Sequence, residues 1–168
     1  CSSLTSISIG NNVTSIGERA FYGCRRLTSI TIPDRVTSIG VQAFYVCTSL
    51  TSITIGNGVT SIEEGTFAEC RRLRSITIPD SVNSIGDGTF INNTSLTSIT
   101  IGNGVTSIGG SAFLSCTDLS AVTFLGNAPK AGEFVFLRAT PTIYRKAEAK
   151  GWGKTWGGRP VKLISEKP

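Results

Sequence analysis

The chain has 168 residues, which is enough for one domain with a substantial core and short for two. It contains no histidine, which excludes Ser-His-Asp and Cys-His nucleophile systems and histidine metal sites. It also contains no methionine, so we expect a processed product or a piece of a longer chain. The net charge of +5 does not indicate a nucleic-acid-binding body, because residues 1–129 carry 7 Lys/Arg and 8 Asp/Glu (−1) whereas residues 130–168 carry 9 and 3 (+6).

Residues 1 to about 138 repeat with a period of 23, in units that begin at residues 1, 24, 47, 70, 93 and 116. A second period of 46 residues lies on top of the first. The units at 24 and 70 open with Cys-Arg-Arg-Leu and turn through Pro-Asp, whereas those at 47 and 93 turn through Gly-Asn-Gly. The most regular columns are Leu4, Leu27, Leu50, Leu73, Leu96 and Leu119, and Phe21, Phe44, Phe67, Phe90, Phe113 and Phe136.

One unit predicts one coil of a larger stack. In the unit at 47, residues 50–55 predict a strand with one buried face, because Ile53 and Ile55 alternate with Thr54. Residues 56–58 predict a turn, 59–62 a second short strand, and 63–69 a short helical or 3-10 turn. One such unit cannot bury its apolar row alone, so we expect a right-handed solenoid of about six coils, mainly β, with a parallel sheet ladder of about 24 Å.

Residues 139–168 predict a C-terminal capping segment rather than a further regular unit. Residues 142–144 have an extended pattern, and 146–150 could form one helical turn. Trp152 and Trp156 are expected to cover the apolar end of the last coil. An alternative is that these tryptophans, with Lys150, Lys154 and Arg159, form a stacking site for sugars.

The pattern Leu-x-x-Ile-x-Ile-Pro-x-x-Val-x-x-Ile-Gly-x-x-Ala-Phe-x-x-Cys, read from Leu27 to Cys47, resembles the BspA-type bacterial leucine-rich repeat. The resemblance covers residues 1 to about 138 and implies a leucine-rich-repeat solenoid. It also implies a secreted or surface-attached bacterial protein that serves adhesion or protein binding, and no catalytic residues accompany the motif. The Gly/Trp-rich tail resembles the endings that close such arrays.

Five cysteines share one position of the repeat, at Cys1, Cys24, Cys47, Cys70 and Cys116, with Asn93 completing the series. We expect an internal ladder of reduced, buried thiols. A disulfide between adjacent coils is the alternative, because neighbouring strands bring α-carbons within bridging distance. Zinc is disfavoured, since there is no Cys-x-x-Cys and no histidine, and we expect no metal and no cofactor.

Serine and threonine number 20 and 21, and many of them occupy outward positions of the first strand. Such residues suit the solvent face of a sheet, but they could also bind a protein or a glycan, and regular threonine rows could bind ice. Thr14, Thr37, Thr60 and Thr106 form a second row. The candidate ligand face consists of Ser6, Ser8, Ser29, Thr31, Ser52, Thr54, Ser75, Thr77, Ser98, Thr100 and Thr123.

A candidate basic patch recurs two coils apart. Its arginines could grip a partner bearing carboxylate or sulfate groups, or they could be solvated charges that pair with Glu63, Glu64 or Glu69. The patch consists of Arg25, Arg26, Arg71, Arg72 and Arg74.

The sequence thus predicts a non-enzymatic binding module, extracellular or on the bacterial surface, whose partner is a protein of a host or neighbouring cell. A carbohydrate-binding array and a passive spacer are the alternatives. No segment reaches the roughly 18 apolar residues of a membrane span, and we expect no nucleic-acid partner. Because Cys1 enters in mid-pattern, we expect the array to have been cut there, with an exposed N-terminal coil that could self-associate end to end.

Overall fold

The computed structural model describes residues 3–167, and each repeat unit forms one coil with three sides. The first side is a long strand, the second a short strand and the third a series of turns. The strands are β1 (Ser15–Ile16), β2 (Ser29–Ile32), β3 (Ser38–Ile39), β4 (Ser52–Ile55), β5 (Ser61–Ile62), β6 (Ser75–Ile78), β7 (Ser84–Ile85), β8 (Ser98–Ile101), β9 (Ser107–Ile108), β10 (Ala121–Phe124), β11 (Lys130–Ala131), β12 (Thr142–Arg145), β13 (Thr155–Trp156) and β14 (Arg159–Leu163), followed by a 3-10 helix at Ile164–Glu166.

Equivalent strands of successive coils pair in parallel, with partners 23 residues apart, as between Ser29 and Ser52 or between Ser15 and Ser38. The short strands form one six-stranded sheet in the order β1-β3-β5-β7-β9-β11. In the long strands β2, β4 and β6, hydroxyl side chains point outward and isoleucines are buried, which is the alternation that a strand with one core face requires. The predicted leucine-rich-repeat solenoid with a parallel ladder is confirmed.

The third side differs from the prediction, because it consists of turns and not of a helical or 3-10 turn in each unit. Two residues per unit have positive φ, such as Gln42 at 54° and Val46 at 60°, and a right-handed helix cannot pass through them. Alternate N–H groups donate to the next coil, as that of Phe44 does to the carbonyl of Thr66 at 2.9 Å, whereas that of Tyr45 closes a turn on the carbonyl of Gln42 at 3.1 Å. Among residues 3–167 the only 3-10 helix is the one at Ile164–Glu166.

The phenylalanine column forms a continuous stack through the middle of the array. From Phe21 to Phe136, neighbouring ring centroids lie 5.1 to 5.7 Å apart and neighbouring planes differ by at most 19°. The rings of the four inner coils are fully buried. Offset-stacked rings at this distance add attraction to the burial of their surface, so the column contributes to every interface between coils.

The long-strand sheet is interrupted at two seams: one between residues 6–9 and β2, the other between β4 and β6. Within the described chain, β2 pairs only with β4, and β6 begins a separate sheet. Just after β8, Gly102 donates its N–H to the carbonyl of Ile78 at 2.9 Å. The equivalent residues at the seams are Pro33 and Pro79, which have no N–H and therefore cannot close the ladder. The 46-residue period of the sequence therefore appears in the structure as two interruptions of the sheet, 46 residues apart.

The cysteine column is buried, and three of its members are free thiols. Cys24 is disulfide-bonded, so the expectation of reduced thiols does not hold for it, and Cys1 lies outside the described residues. Each free thiol donates to the carbonyl of the phenylalanine 26 residues earlier: Cys47 to Phe21 at 3.2 Å, Cys70 to Phe44 at 3.3 Å and Cys116 to Phe90 at 3.1 Å.

Asn93 occupies the same column and is fully buried. Neither its Nδ2 nor its Oδ1 has a hydrogen-bond partner among the described residues. By the pattern of the thiols, its acceptor would be the carbonyl of Phe67. Two unpaired polar atoms in an apolar column lower stability.

The C-terminal segment continues the ladder with shorter units. β12 pairs with β10 in parallel, with Val122 opposite Ile143, and β14 pairs with β12, with Ile143 opposite Val161. The steps are therefore 21 and 18 residues. β13 returns antiparallel on β14. Residues 142–144 are extended as predicted, and residues 147 and 148 form a turn rather than a helical turn.

We predict that Asn93→Cys raises the free energy of unfolding by about 1–3 kcal/mol, because it removes both unpaired atoms and supplies a thiol for the Phe67 carbonyl. Equilibrium urea unfolding of the variant and the parent chain measures the difference. Asn83→Cys is the matched control, because Asn83 is exposed and its side chain makes no hydrogen bond in the described chain; its expected change is near zero. Equal or lower stability of the Asn93 variant would contradict the prediction.

Candidate binding surface

The candidate ligand face lies on the first side of the solenoid, along the outward positions of the long strands. Exposure decreases toward the C-terminus: the residues from Ser6 to Thr77 are exposed, and Ser98 and Thr100 are half-buried. Thr123 is only 8% exposed, since Lys167 covers it and donates to its hydroxyl at 3.3 Å. Thr123 is therefore not available to a ligand, and the accessible face ends at Thr100.

The hydroxyls of the face differ from those of the neighbouring threonine rows in what they bond. Thr51 at the start of the first side donates to the carbonyl of Thr28 at 3.0 Å, and Thr97 donates to that of Arg74 at 3.0 Å. On the second side, Thr106 donates to the carbonyl of Asn83 at 3.1 Å. Within residues 3–167, Thr123 is the one face residue whose hydroxyl has a side-chain hydrogen bond. The other face hydroxyls keep their donors and acceptors for solvent or a partner.

The two seams appear on this face as shallow depressions. The first has a volume of about 360 Å³ and the second about 380 Å³. Hydroxyls form their rims, isoleucines their floors, and Pro33 or Pro79 one end. Their linings correspond residue by residue at a spacing of 46, so the face carries two copies of one relief, about 10 Å apart by the spacing of strands. The matching rim residues are Ser6 and Ser52, Ser8 and Thr54, Ser29 and Ser75, and Thr31 and Thr77.

The five arginines of the candidate basic patch are all exposed, at the corner that leads into the long strands β2 and β6. Arg71 forms an ion pair with Glu69, with Nη2 and Oε2 2.7 Å apart. Among the described residues the other four have no ion pair, and the pairing with Glu63 or Glu64 that the sequence allowed is not formed. Arg25 and Arg26 lie two coils from Arg71 and Arg72, so they form two clusters flanking the same face.

The cap aromatics pack on the last regular coil. Trp156 is 8% exposed, contacts Phe124 and Phe136 edge-on, and donates its Nε1–H to the carbonyl of Pro129 at 2.8 Å. Trp152 is half-buried against Phe124, with ring centroids 4.9 Å apart. It also borders a depression of about 470 Å³ that includes Lys154. Burial of the Trp156 ring leaves Trp152 as the tryptophan with a face for stacking.

Chemical features of other kinds are few in the part of the chain that the structure describes. Residues 3–167 hold no group of three or more His, Cys, Asp or Glu placed to bind a metal ion. No helix among them has the length and apolar character to cross a membrane. Burial raises the pKa of Cys116 to about 12, so this thiol is protonated at neutral pH.

One feature of the third side was missed by sequence reasoning. A groove runs there from Tyr45 to Phe134 and is lined by Glu64, Asp87 and Glu133. The sequence feature that indicates this groove is Phe134, because a large aromatic residue stands at the repeat position that Gly65 and Gly88 occupy in earlier units. The repeat pattern is defined by the residues that its units share, so it does not reveal a change in a single unit.

The model of the BspA-type leucine-rich repeat region matches residues 1–120 and 37–143, with six copies. The chain belongs to the BspA-type leucine-rich repeat family. This membership agrees with the 23-residue coil, the phenylalanine stack and the cysteine column described above. No curated protein is similar enough in sequence to this BspA-type chain to match it.

Solved leucine-rich repeat structures resemble this BspA-type solenoid. The T. pallidum leucine-rich repeat protein TpLRR is 28% identical with a TM-score of 0.66, over 79% of this chain and 66% of that one. A leucine-rich repeat protein from Bacteroides ovatus is 24% identical with a TM-score of 0.53, over 98% of this chain and 56% of that one. The chain thus spans about two thirds of the length of the first protein and just over half of the length of the second.

We predict that Thr97→Val lowers the free energy of unfolding by about 1 kcal/mol, because it removes a hydroxyl that bonds the preceding coil. Thr54→Val is the matched control on the face, and its effect is expected to stay within about 0.5 kcal/mol. Chemical unfolding of both variants measures the difference. If the two substitutions had equal effects, the division into bonded and free hydroxyls would be wrong.

Proposed function

We propose that this BspA-type chain is a non-enzymatic recognition module on the outside of a bacterial cell. Its accessible Ser/Thr face, which is the candidate ligand face from Ser6 to Thr100, binds a partner protein. The observation that carries the proposal is the set of unbonded hydroxyls from Ser6 to Thr100 on one side of a rigid stack. Neighbouring threonine rows use their hydroxyls to join coils, whereas this face leaves them to the surroundings.

Short hydroxyl side chains on strands suit protein recognition, because few rotamers are lost when they bind. Each hydroxyl can donate one hydrogen bond and accept others, so the face can meet a partner's backbone or side-chain groups. The arginines beside β2 and β6 add positive charge at its margin, and four of them have no ion pair in the described chain. Electrostatic attraction of an acidic partner would raise the association rate and aid orientation.

Membership of the BspA-type family supports a location outside the cell. Proteins that carry BspA-type repeats are typically secreted or attached to the cell surface. The composition agrees, because only 16% of the residues are charged and the surface is rich in hydroxyl groups. Adhesion to a host or neighbouring cell is the role that we assign to such a module.

Glycan binding is the second candidate function, and the two seam depressions favour it. Each combines a hydroxyl rim with an apolar floor, which suits a sugar ring with polar edges and a less polar face. The half-buried Trp152 offers a separate stacking surface at the cap.

The proposal is tested with the double variant Thr54→Lys/Thr77→Lys, which places two bulky charges at the rim of the second seam. Immobilised parent chain and variant are exposed to surface extracts of bacterial and epithelial cells, captured proteins are purified, and binding is measured by interferometry. We expect the parent chain to bind a purified protein and the variant to lose at least about tenfold in affinity.

Ser38→Lys/Asn83→Lys is the control, because it adds the same charge on the second side at two exposed residues whose side chains make no hydrogen bond in the described chain. It should leave the affinity unchanged. Equal loss in both variants would contradict a role for the face. A glycan array run in parallel distinguishes the second candidate, and silence in both assays would contradict binding and favour a passive spacer.

A further inference from the structure

The third side of the solenoid carries a groove of about 640 Å³. Gln42 and Tyr45 form one end and Phe134 the other, so the groove crosses four steps between coils, or about 19 Å by the spacing of strands. It lies away from the Ser/Thr face, which occupies the first side.

The groove exists because one column of side chains is missing in the middle. The column Arg19, Gln42, Gly65, Gly88, Ser111 and Phe134 has positive φ at every position. Glycine is the residue best suited to that conformation. At Gly65 the side chain of Gln42 lies over the backbone, 3.2 Å from where a Cβ would stand, whereas at Gly88 the nearest atom is a methyl group of Ile91 at 3.9 Å. The coils of Gly88 and Ser111 therefore form a floor between the walls made by Gln42 and Phe134.

The charge of the lining has one sign. Glu64, Asp87 and Glu133 line the groove, and no lysine or arginine does. Asp87 accepts the N–H of Gly110 at 2.6 Å, which holds its carboxylate in place. Glu64 and Glu133 are exposed, and their carboxylates have no hydrogen bond or ion pair within the described chain. These carboxylates stand on three separate coils and so form a line of negative charge along the groove.

The end near Phe134 is apolar. The Phe134 ring is 67% exposed, and Leu137 on the same coil is 48% exposed. Phe134 has a φ of 55°, although bulky residues rarely adopt this conformation and small ones occupy the equivalent positions at 65, 88 and 111. Its ring takes no part in the buried stack, which uses Phe136 in this coil. An exposed aromatic side chain beside a groove is a common anchor for a partner.

We infer that this groove binds an extended cationic segment of a partner protein, with lysine or arginine side chains along Glu64, Asp87 and Glu133 and an apolar side chain against Phe134. The charge is complementary, and a length of about 19 Å corresponds to about six residues of extended chain. The inference does not depend on the proposed function, because it uses another side of the solenoid.

The test is an NMR titration of the isotopically labelled chain with the peptide Lys-Leu-Lys-Leu-Lys-Phe. We expect shifts of the Gly88 and Gly110 amides on the groove floor and weaker binding as salt is added. Glu64→Gln/Glu133→Gln should reduce the affinity at least about tenfold while preserving shape. Phe134→Ser should also reduce it, and it should fold, because Ser111 occupies the equivalent position.

The control variant is Asp118→Asn/Glu148→Gln, which removes two exposed carboxylates outside the groove and should bind like the parent chain. The peptide Glu-Leu-Glu-Leu-Glu-Phe should not bind. Unmoved floor amides, equal binding of the acidic peptide, or an equal loss in the control variant would overturn the inference. Shifts confined to the Ser/Thr face would also overturn it, while leaving the proposed function standing.

Discussion

Register between coils is the constraint on which the rest of this protein depends. Residues of a unit lie beside their equivalents in the next unit, so apart from the two seams the paired strands exchange hydrogen bonds at a constant offset. Leucine, isoleucine, valine and phenylalanine then form columns that bury one another, and none of these columns exists within a single coil. A coil therefore has little stability alone, and the free energy of folding comes from interfaces between neighbours.

The properties of each surface depend on whether its outward side chains form hydrogen bonds with the neighbouring coil. Where a threonine hydroxyl reaches the carbonyl of the preceding coil, the column adds to the interface. Where the hydroxyl stands on one of the long strands β2, β4, β6 and β8, it does not reach a carbonyl and remains free for solvent or a partner. Proline at one turn position removes a single N–H and opens a seam, and glycine in the positive-φ column opens a groove. Recognition features can thus change along the array without disturbing the core.

Sequence reasoning succeeded where the same residue type recurs. The period, the parallel ladder, the buried phenylalanines and the extended residues 142–144 follow from pattern and from the need to bury apolar rows. It failed where the outcome depends on a neighbour. Local pattern allowed a helical turn on the third side, but alternate N–H groups there bond the next coil and two positive-φ residues per unit interrupt any helix. Burial of Thr123 could not be foreseen, since the residue that covers it, Lys167, is 44 positions away. The groove was missed because it is made by absent side chains. The exposed arginines and hydroxyls were predicted correctly as surface residues, but which of them would form an ion pair or a hydrogen bond was not predictable from the sequence.

The dominance of register is tested most directly by deleting one unit in phase and one out of phase. Removal of residues 76–98 joins Ser75 to Ile99 with every column preserved, whereas removal of 76–97 leaves one extra residue within the long strand. Thermal unfolding followed by far-UV circular dichroism compares the two. If register dominates, the in-phase deletion unfolds in a single cooperative transition, and the out-of-phase deletion gives a much less stable or non-cooperative chain. Equal stability of the two deletions, or loss of folding in the in-phase one, would contradict it.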